Sequence, residues 1–315
     1  AVIVVTYNSA SDIPQLIGDL RAAAIDRRLR LIVVDNQSSD STVDFVRAHS
    51  DITLIESGGN LGYAGGINAA QPFTEPCGAV LILNPDLRLM PDAISGMLGP
   101  LRTDDQIGAV VPRILDMNGA TYLSLYREPS LTRALGDAFM GSRCWRTRPG
   151  FLSEVQQRPE SYEKAHDVEW ATGAAILIRA SVARELGKWN ETFFLYSEET
   201  DYLRRVRDGG HRIRFEPSAT VRHRLGGSGT SAALAALMAV NRVRYVELRH
   251  GLLYSALFRA VVALAEALRS YDPVHRGTLA IVANRRRWRD LPCATKPPAP
   301  EDISGARARG AVIIP

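Results

Sequence analysis

The chain is predicted to be an α/β protein built on a mainly parallel sheet, and three observations predict it. Short β-branched runs alternate with helical patterns through residues 1–115. The stretches between those runs carry apolar residues at three- and four-residue spacing. A polar or glycine-rich cluster follows the end of each run. Strands alternating with helices give βαβ units, whose crossovers are right-handed.

Val2–Val5 reads as the first strand and Tyr7-Asn8-Ser9 as the turn after it. Ser11 and Asp12 open a helix with Ile13, Leu16, Ile17 and Leu20 on one face. Leu31–Val34 is a second strand, ending at Asp35. Ser39-Asp40-Ser41 opens a helix containing Val43, Phe45 and Val46. Ile52–Ile55 is a third strand, turned by Gly58-Gly59-Asn60. Ala79–Leu83 is a fourth, ending at Asn84-Pro85-Asp86, and Ala109–Val111 begins another. Residues 120–168, punctuated by Pro129, Gly141, Pro149 and Pro159, read as a long irregular excursion on the acceptor side. Residues 170–179 return to an apolar strand, and Glu198–Asp208 is a helix stopped by Gly209-Gly210. Residues 231–290 are helical, with Leu253, Leu257, Ala260, Val261, Leu264 and Leu268 on one face. Residues 291–315, with Pro292, Pro297, Pro298 and Pro300, read as a disordered tail. The expected division is a catalytic domain over 1–230, a helical appendage over 231–290 and the tail.

With 315 residues, 46% of them apolar and 23% charged, the chain has the make-up of a globular protein with a sizeable core. Cys77, Cys144 and Cys293 are odd in number and far apart, which fits neither a zinc site nor a disulfide framework. A reducing cytoplasm is expected. The apolar start Ala1–Val5 is too short for a secretory leader, and no apolar run approaches the ~18 residues of a membrane span. Net charge is −3 over residues 1–230 and +6 over residues 231–290. The basic end suggests an anionic partner there. Arg242, Arg244, Arg249, Arg259, Arg285, Arg286, Arg287 and Arg289 alternate with apolar stripes, a pattern for peripheral contact with anionic lipid or for packing on the core or on another subunit. A homodimer is left open. A nucleic-acid surface is the reading from another class and is not the one expected.

In open α/β sheets, ligands bind at the carboxyl ends of the strands. Thr6-Tyr7-Asn8, Asp35-Asn36, Asn60-Leu61-Gly62 and Asn84-Pro85-Asp86 should therefore share one rim. Asp35 accepts hydrogen bonds only, so it suits the imide N–H of uracil or thymine, and equally suits a turn or helix cap. The glycine-rich stretch Gly58–Asn68 leads into a helix and suits phosphate, though a plain glycine turn reads the same way. It is neither GxGxxG nor Walker A. Asp86 is an oxygen ligand of the kind Mg²⁺ or Mn²⁺ takes, in a tripeptide that also makes ordinary turns. Phe193–Asp201 sets Glu198, Glu199 and Asp201 beside apolar residues. Glu198 and Asp201 are helix neighbours and Glu199 points elsewhere, so one acid suits a general base while others bond Arg204 or Arg205. His223 fits a metal ligand, a phosphate contact or a core histidine, and Gly226-Gly227-Ser228-Gly229 a flap over a ligand. A nucleotidyltransferase would carry a basic glycine-rich loop after the first strand, which Thr6-Tyr7-Asn8-Ser9-Ala10 lacks.

Taken in order, Val5–Asn8, Val34–Asp40, Asn60–Asn68, Leu83–Asp86, Thr172–Ala175, Phe193–Asp201, and His223 with Gly226-Gly227-Ser228 resemble the family 2 glycosyltransferases, closest to their bacterial rhamnosyltransferase-like branch. The resemblance covers about residues 1–230. It implies an α/β GT-A (Rossmann-like) fold with a C-terminal helical appendage. It implies an inverting transferase that uses Mg²⁺ or Mn²⁺ and a nucleotide-diphosphate sugar. Rhamnose from dTDP-rhamnose is the first expectation, with UDP-hexose, UDP-N-acetylhexosamine or UDP-galactofuranose as alternatives. The acceptor would be a glycan or lipid-linked hydroxyl at the inner face of the plasma membrane. Thr6, Tyr7, Asn8, Asp35, Asn60, Gly62 and Asn84 would hold the nucleotide. Asp86 and His223 would hold the metal, and Gly173, Trp170 and Asp201 would meet donor sugar or acceptor. Glu199 would be the base, with Glu198 as the other candidate. Glu199 stands where the family commonly has Asp, Asn84 where many relatives have the first acid of D-x-D, and Trp189, Asn190 and Tyr202 also depart from the usual residues.

Overall fold

The computed structural model describes residues 1–24, 28–140, 148–224 and 231–295. In chain order the strands are β1 (Val2–Thr6), β2 (Leu31–Asp35), β3 (Ile52–Glu56), β4 (Ala79–Leu83), β5 (Leu87–Leu89), β6 (Ile107–Leu115), β7 (Leu125–Tyr126), β8 (His166–Asp167), β9 (Trp170–Ala171), β10 (Ala175–Arg179) and β11 (Arg212–His223). The helices are α1 (Ile13–Ala23), α2 (Thr42–Arg47), α3 (Gly62–Ala70), α4 (Ala93–Thr103), α5 (Leu131–Met140), α6 (Ala180–Leu186), α7 (Glu198–Asp208), α8 (Ala232–Arg249), α9 (Leu252–Leu268) and α10 (Pro273–Ala283).

The main sheet runs β3-β2-β1-β4-β10-β6-β11-β5, with β8 added beside β11. β3, β2, β1 and β4 are parallel, as the βαβ pattern requires. β10 runs antiparallel to both β4 and β6, and β5 antiparallel to β11. The parallel half is buried on both faces. Val2 and Val4 pack toward α1 and α4, while Ile3 and Val5 pack toward α3 and α7. Alternate residues of a strand face opposite sides, so a run such as Val2–Val5 must be apolar throughout.

Within the long excursion the chain forms α5, and β7 and β9 make a small second sheet. A third core joins α8, α9 and α10 to Phe193 and Ala134. The leucine stripe foreseen on α9 lies on its outer side. Leu253, Leu257, Leu264 and Leu268 are exposed, and Ser255, Phe258 and Val262 face the core. Of the arginines read as either lipid-facing or packed, Arg242, Arg244 and Arg249 are half-buried and packed, and Arg285 is paired at the surface. Arg242 pairs with Glu154, Arg249 with Asp201 and Asp208, and Arg285 with Glu247, while Arg244 lies over Trp288. Residues 291–295, expected in the tail, are anchored at both ends: Leu291 is buried, and the exposed Thr295 donates its N–H to the Asn60 carbonyl at 2.9 Å. Residues 296–315 lie outside the described residues.

Arg242 ties α8 to the excursion, its Nε 3.1 Å from Glu154, a buried acid whose carboxyl burial pushes above its ordinary range. Arg242→Ala should cost about 3 kcal/mol in urea unfolding, because it strands that carboxylate. The double change Arg242→Met with Glu154→Gln should recover most of it. A single variant as stable as the parent would count against this account.

Candidate active site

The carboxyl ends of β1, β2 and β3 are level, with Thr6 paired to Asp35 and Asp35 to Glu56. Asp35 is buried at this edge. It accepts from Thr6 Oγ1 at 3.0 Å, from the Ser38 N–H at 2.8 Å and from Ser38 Oγ at 2.5 Å. Asn8, at φ +52°, locks the first turn to the second: its N–H donates to Ser38 Oγ and its Oδ1 accepts from the Ser39 N–H. Tyr7 projects outward at 54% exposure. Asn36 Nδ2 donates to the Gly62 carbonyl, and the Gly62 N–H donates to Asn60 Oδ1. The Asn60 N–H is occupied by Thr295 Oγ1 at 2.7 Å. Three of the four clusters foreseen at the rim are therefore joined by hydrogen bonds.

Asn84 follows β4, its N–H donating to the Ala174 carbonyl at 2.8 Å. Asp86 is buried at the entry to β5. β5 pairs with the last residues of β11, which brings His223 to it: His223 Nε2 is 3.0 Å from Asp86 Oδ1. His223 Nδ1 is buried with no hydrogen-bond partner. A carboxylate oxygen beside an imidazole nitrogen suits Mn²⁺ or Mg²⁺ when substrate phosphate and water complete the shell. Among the described residues no cluster of three or more His, Cys, Asp or Glu forms a self-sufficient metal cage. A pair of protein ligands is what Asp86 and His223 offer.

The acids sit at the start of α7, after a turn with an unusual backbone. Phe194, Tyr196 and Ser197 all have positive φ, at 61°, 70° and 74°. Among the described residues the other non-glycine positions with positive φ are Asn8 and Gln37, both in turns at this rim. Each such residue costs on the order of 1–3 kcal/mol and persists only where its surroundings hold it. The holders are identifiable. Asn241 of α8, fully buried, donates from Nδ2 to the carbonyls of Phe193 (2.6 Å), Leu195 (2.8 Å) and Tyr196 (3.1 Å). The Tyr63 N–H donates to the Phe194 carbonyl at 2.7 Å. Gly62, at φ +73°, permits that approach, since a Cβ there would lie 2.1 Å from the Phe194 oxygen.

Glu198 is buried and Glu199 half-buried, and each has a buried Oε2 without a hydrogen-bond partner. Burial, then the neighbouring Glu199 charge, raises the Glu198 carboxyl well above its ordinary range. Burial also raises Glu199, opposed by backbone hydrogen bonds from its own amide, Gly173, Ser197 and Thr200. Four backbone hydrogen bonds favour the ionised form of Glu199, against one for Glu198. Its side chain lies against Gly173, where an added Cβ would sit 3.3 Å from the Glu199 Cβ. Tyr63 Oη donates to the Gly173 carbonyl at 3.0 Å, joining α3 to the segment that lies against Glu199.

Trp170 stacks on Tyr126 with centroids 4.2 Å apart and donates from Nε1 to the Arg127 carbonyl. Asp201, expected at the sugar, is committed elsewhere. It is buried and paired with Arg205 at 3.1 Å and Arg249 at 2.6 Å, both oxygens used on the side facing α8. The Gly226–Gly229 flap lies outside the described residues. A cavity of about 650 Å³ opens at the other end of the strands, beside Ala1, Arg30, Leu101 and Arg179, and includes none of these side chains. Sequence reasoning missed Asn241, Tyr63 and Ser38. Asn241, a lone amide in an apolar helix, is the one that carried a visible signal.

Residues 1–187 match the family described as "Glycosyl transferase family 2". The chain belongs to that family. This transferase is 28% identical over 285 residues to the N-acetylglucosaminyl-diphospho-decaprenol L-rhamnosyltransferase of Mycobacterium tuberculosis, covering 86% of this chain and 91% of the relative. It is 29% identical over 211 residues to the low-salt glycan biosynthesis hexosyltransferase Agl10 of Haloferax volcanii, covering 66% and 61%. Among solved structures, the transferase resembles the mannosyltransferase PcManGT from Pyrobaculum calidifontis, in complex with GDP-Man and Mn²⁺. The TM-score is 0.54 at 20% identity, over 90% of this chain and 74% of that one. That likeness is one of fold, of the kind found in GT-A glycosyltransferases.

Replacing Asn241 with Leu keeps the volume and removes the donor to three carbonyls. Each buried acceptor left unpaired costs roughly 1–3 kcal/mol, so the turn before the acids should relax. Turnover of the accepted sugar nucleotide should fall at least ~tenfold with its dissociation constant changed less than ~threefold. Equal turnover in parent and variant would remove Asn241 from the site.

Proposed function

We propose that the protein transfers a sugar, with inversion, from a nucleotide diphosphate to a hydroxyl of a lipid-linked acceptor in cell-envelope glycan synthesis. The observation that carries this reading is Glu199. It is the half-buried acid against Gly173, with an oxygen awaiting a partner, at the rim shared with Asp86 and His223. The donor sugar assigned is rhamnose on dTDP, after the mycobacterial relative named for L-rhamnose transfer to a decaprenyl diphosphate sugar. A UDP-sugar is the alternative that the nucleotide test below decides. The cytoplasmic face of the membrane is the place of action.

The nucleoside lies along the turns after β1 and β2. Tyr7 offers a face for the base, and Asp35 keeps one Oδ2 lone pair free for an imide N–H after serving Thr6 and Ser38. The diphosphate reaches the Asn84-Pro85-Asp86 segment. Asp86 and His223 supply the protein's ligands for Mg²⁺ or Mn²⁺, an ion that offsets charge on a departing nucleoside diphosphate. Gly173 leaves room for the sugar beside Glu199. The acceptor hydroxyl loses its proton to Glu199 as its oxygen bonds the anomeric carbon from the face opposite the leaving oxygen. A single displacement inverts that carbon. Burial favours the neutral form of Glu198, which spares Glu199 a neighbouring charge.

Thermal shift with dTDP, UDP, GDP and ADP, with and without Mn²⁺, tests the donor. A nucleotide at ~100 times its Kd should add about 2.7 kcal/mol of stability. Stabilisation by dTDP or UDP is expected only with metal, and Asp86→Ala should lose it. No shift with any nucleotide would overturn the reading.

The base must be ionised to work, and burial disfavours its ionised form. Turnover should therefore be lost as pH falls through a limb above the ordinary glutamate value of 4.5. Glu199→Gln should lower turnover by about 10²-fold or more with nucleotide affinity intact. Glu198→Gln should retain the limb, because Glu198 is already protonated there. If Glu198→Gln is the inactive variant, the two assignments are reversed.

A further inference from the structure

The outer side of α9 is an apolar surface that the proposed reaction does not use. Leu252, Leu253, Leu257 and Tyr271 are 92%, 77%, 50% and 85% exposed, with Leu264 and Leu268 exposed beyond them. Leu253, Leu257, Ala260, Leu264 and Ala267 follow three- and four-residue steps along one side of a helix about 25 Å long. The only charged residues of α9 are Arg259 and Glu266, both half-buried at its flanks. α5 runs alongside in the same direction: the Leu131 N–H donates to Tyr254 Oη, and Arg269 Nη2 donates to the Asp137 carbonyl. It contributes exposed Leu135 and Phe139, and the turn after it exposed Phe151. Single exposed leucines are ordinary, but a two-helix apolar surface is not, and such patches mark contacts.

We propose that this α5–α9 face lies on the surface of an anionic lipid bilayer, with its leucine and aromatic side chains at the headgroup–acyl boundary. The choice of a bilayer rests on the lipid-linked acceptor proposed above. Charge complementarity supports it: Arg276, Arg286, Arg287 and Arg289 are exposed on α10 and the turn after it. α10 packs on α9, so these cations border the apolar face where acidic headgroups would meet them. A second copy docked through the same face would bring two such sets of arginines together. Among the described residues no helix is long and apolar enough to cross a membrane, so the contact is one of lying on the bilayer. The geometry also suits the reaction. Phe258 and Val262, on the inner side of α9, share a core with Phe193 and with α8, the helix that carries Asn241. The lipid-facing helix is thus one packing layer from the turn that aims Glu199.

The test is flotation of the full chain with vesicles of phosphatidylcholine alone or with phosphatidylglycerol, at low and high salt, alongside light scattering and the nucleotide melt. The parent should float with the anionic vesicles at low salt. The exposed triple change Leu253→Asp, Leu257→Asp and Leu264→Asp should reduce that binding at least ~tenfold while the melt and the nucleotide shift stay as they were. Arg286→Gln with Arg287→Gln, which touches no apolar residue, should weaken binding selectively at low salt. A parent that binds nucleotide but never floats overturns the proposal and leaves the transferase reading standing. Floating without any nucleotide shift does the reverse. A parent dimer that the leucine changes dissociate, with no flotation, assigns the face to a second copy and overturns the bilayer.

Discussion

The position of Glu199 depends on four consecutive carbonyls. Those of Phe193, Leu195 and Tyr196 are held by one amide, Asn241 Nδ2, and that of Phe194 by one backbone N–H, from Tyr63. Without these partners a turn with three positive-φ residues would relax, because it is costly and contains no glycine. The two donors come from opposite directions. Tyr63 belongs to the helix whose N-terminus borders the nucleotide rim, and Asn241 to the C-terminal helices. Glu199 is held between α3 and the C-terminal helices, which no short segment of chain could achieve.

The acids divide the work according to where they point. Asp201 takes two arginines, Arg205 from its own helix and Arg249 from α8. That pairing fastens α7 to α8 and leaves the first turn of α7 to Glu198 and Glu199. Among the described residues neither acid has a cationic partner there; an arginine beside Glu199 would hold it ionised and lower its proton affinity. At the other end of the site, Asp86 and His223 converge because β5 pairs with the end of β11.

The parallel half of the fold was legible in the sequence because its signals are local. Val2–Thr6 and Leu31–Asp35 are apolar throughout since both faces of those strands are covered, and the polar clusters after them had to share a rim. α7 was legible to the residue because Ser197 and Gly209 bound a clear periodic stretch. What was not legible depends on long-range partners. The reversal at β10, the meeting of Asp86 with His223 and the three carbonyls around Asn241 leave no mark within a window of sequence. The stripe on α9 was read correctly as a stripe, but spacing says nothing about whether it faces inward. Asp201 looked like a site residue because it follows two others by two and three positions; its pairing with Arg205 of α7 and Arg249 of α8, which engages both its oxygens, is a long-range fact that spacing does not carry.

The family match stops at residue 187, and the turn, the acids and Asn241 all lie beyond it. Similarity to the mycobacterial relative nevertheless extends over 285 residues, so both parts of the chain are matched there. The Tyr63–Phe194 bond crosses residue 187, whereas the bonds from Asn241 to its turn lie wholly after it. A fragment ending at residue 187 would therefore keep the rim and lose both Glu199 and the amide that holds the turn before it.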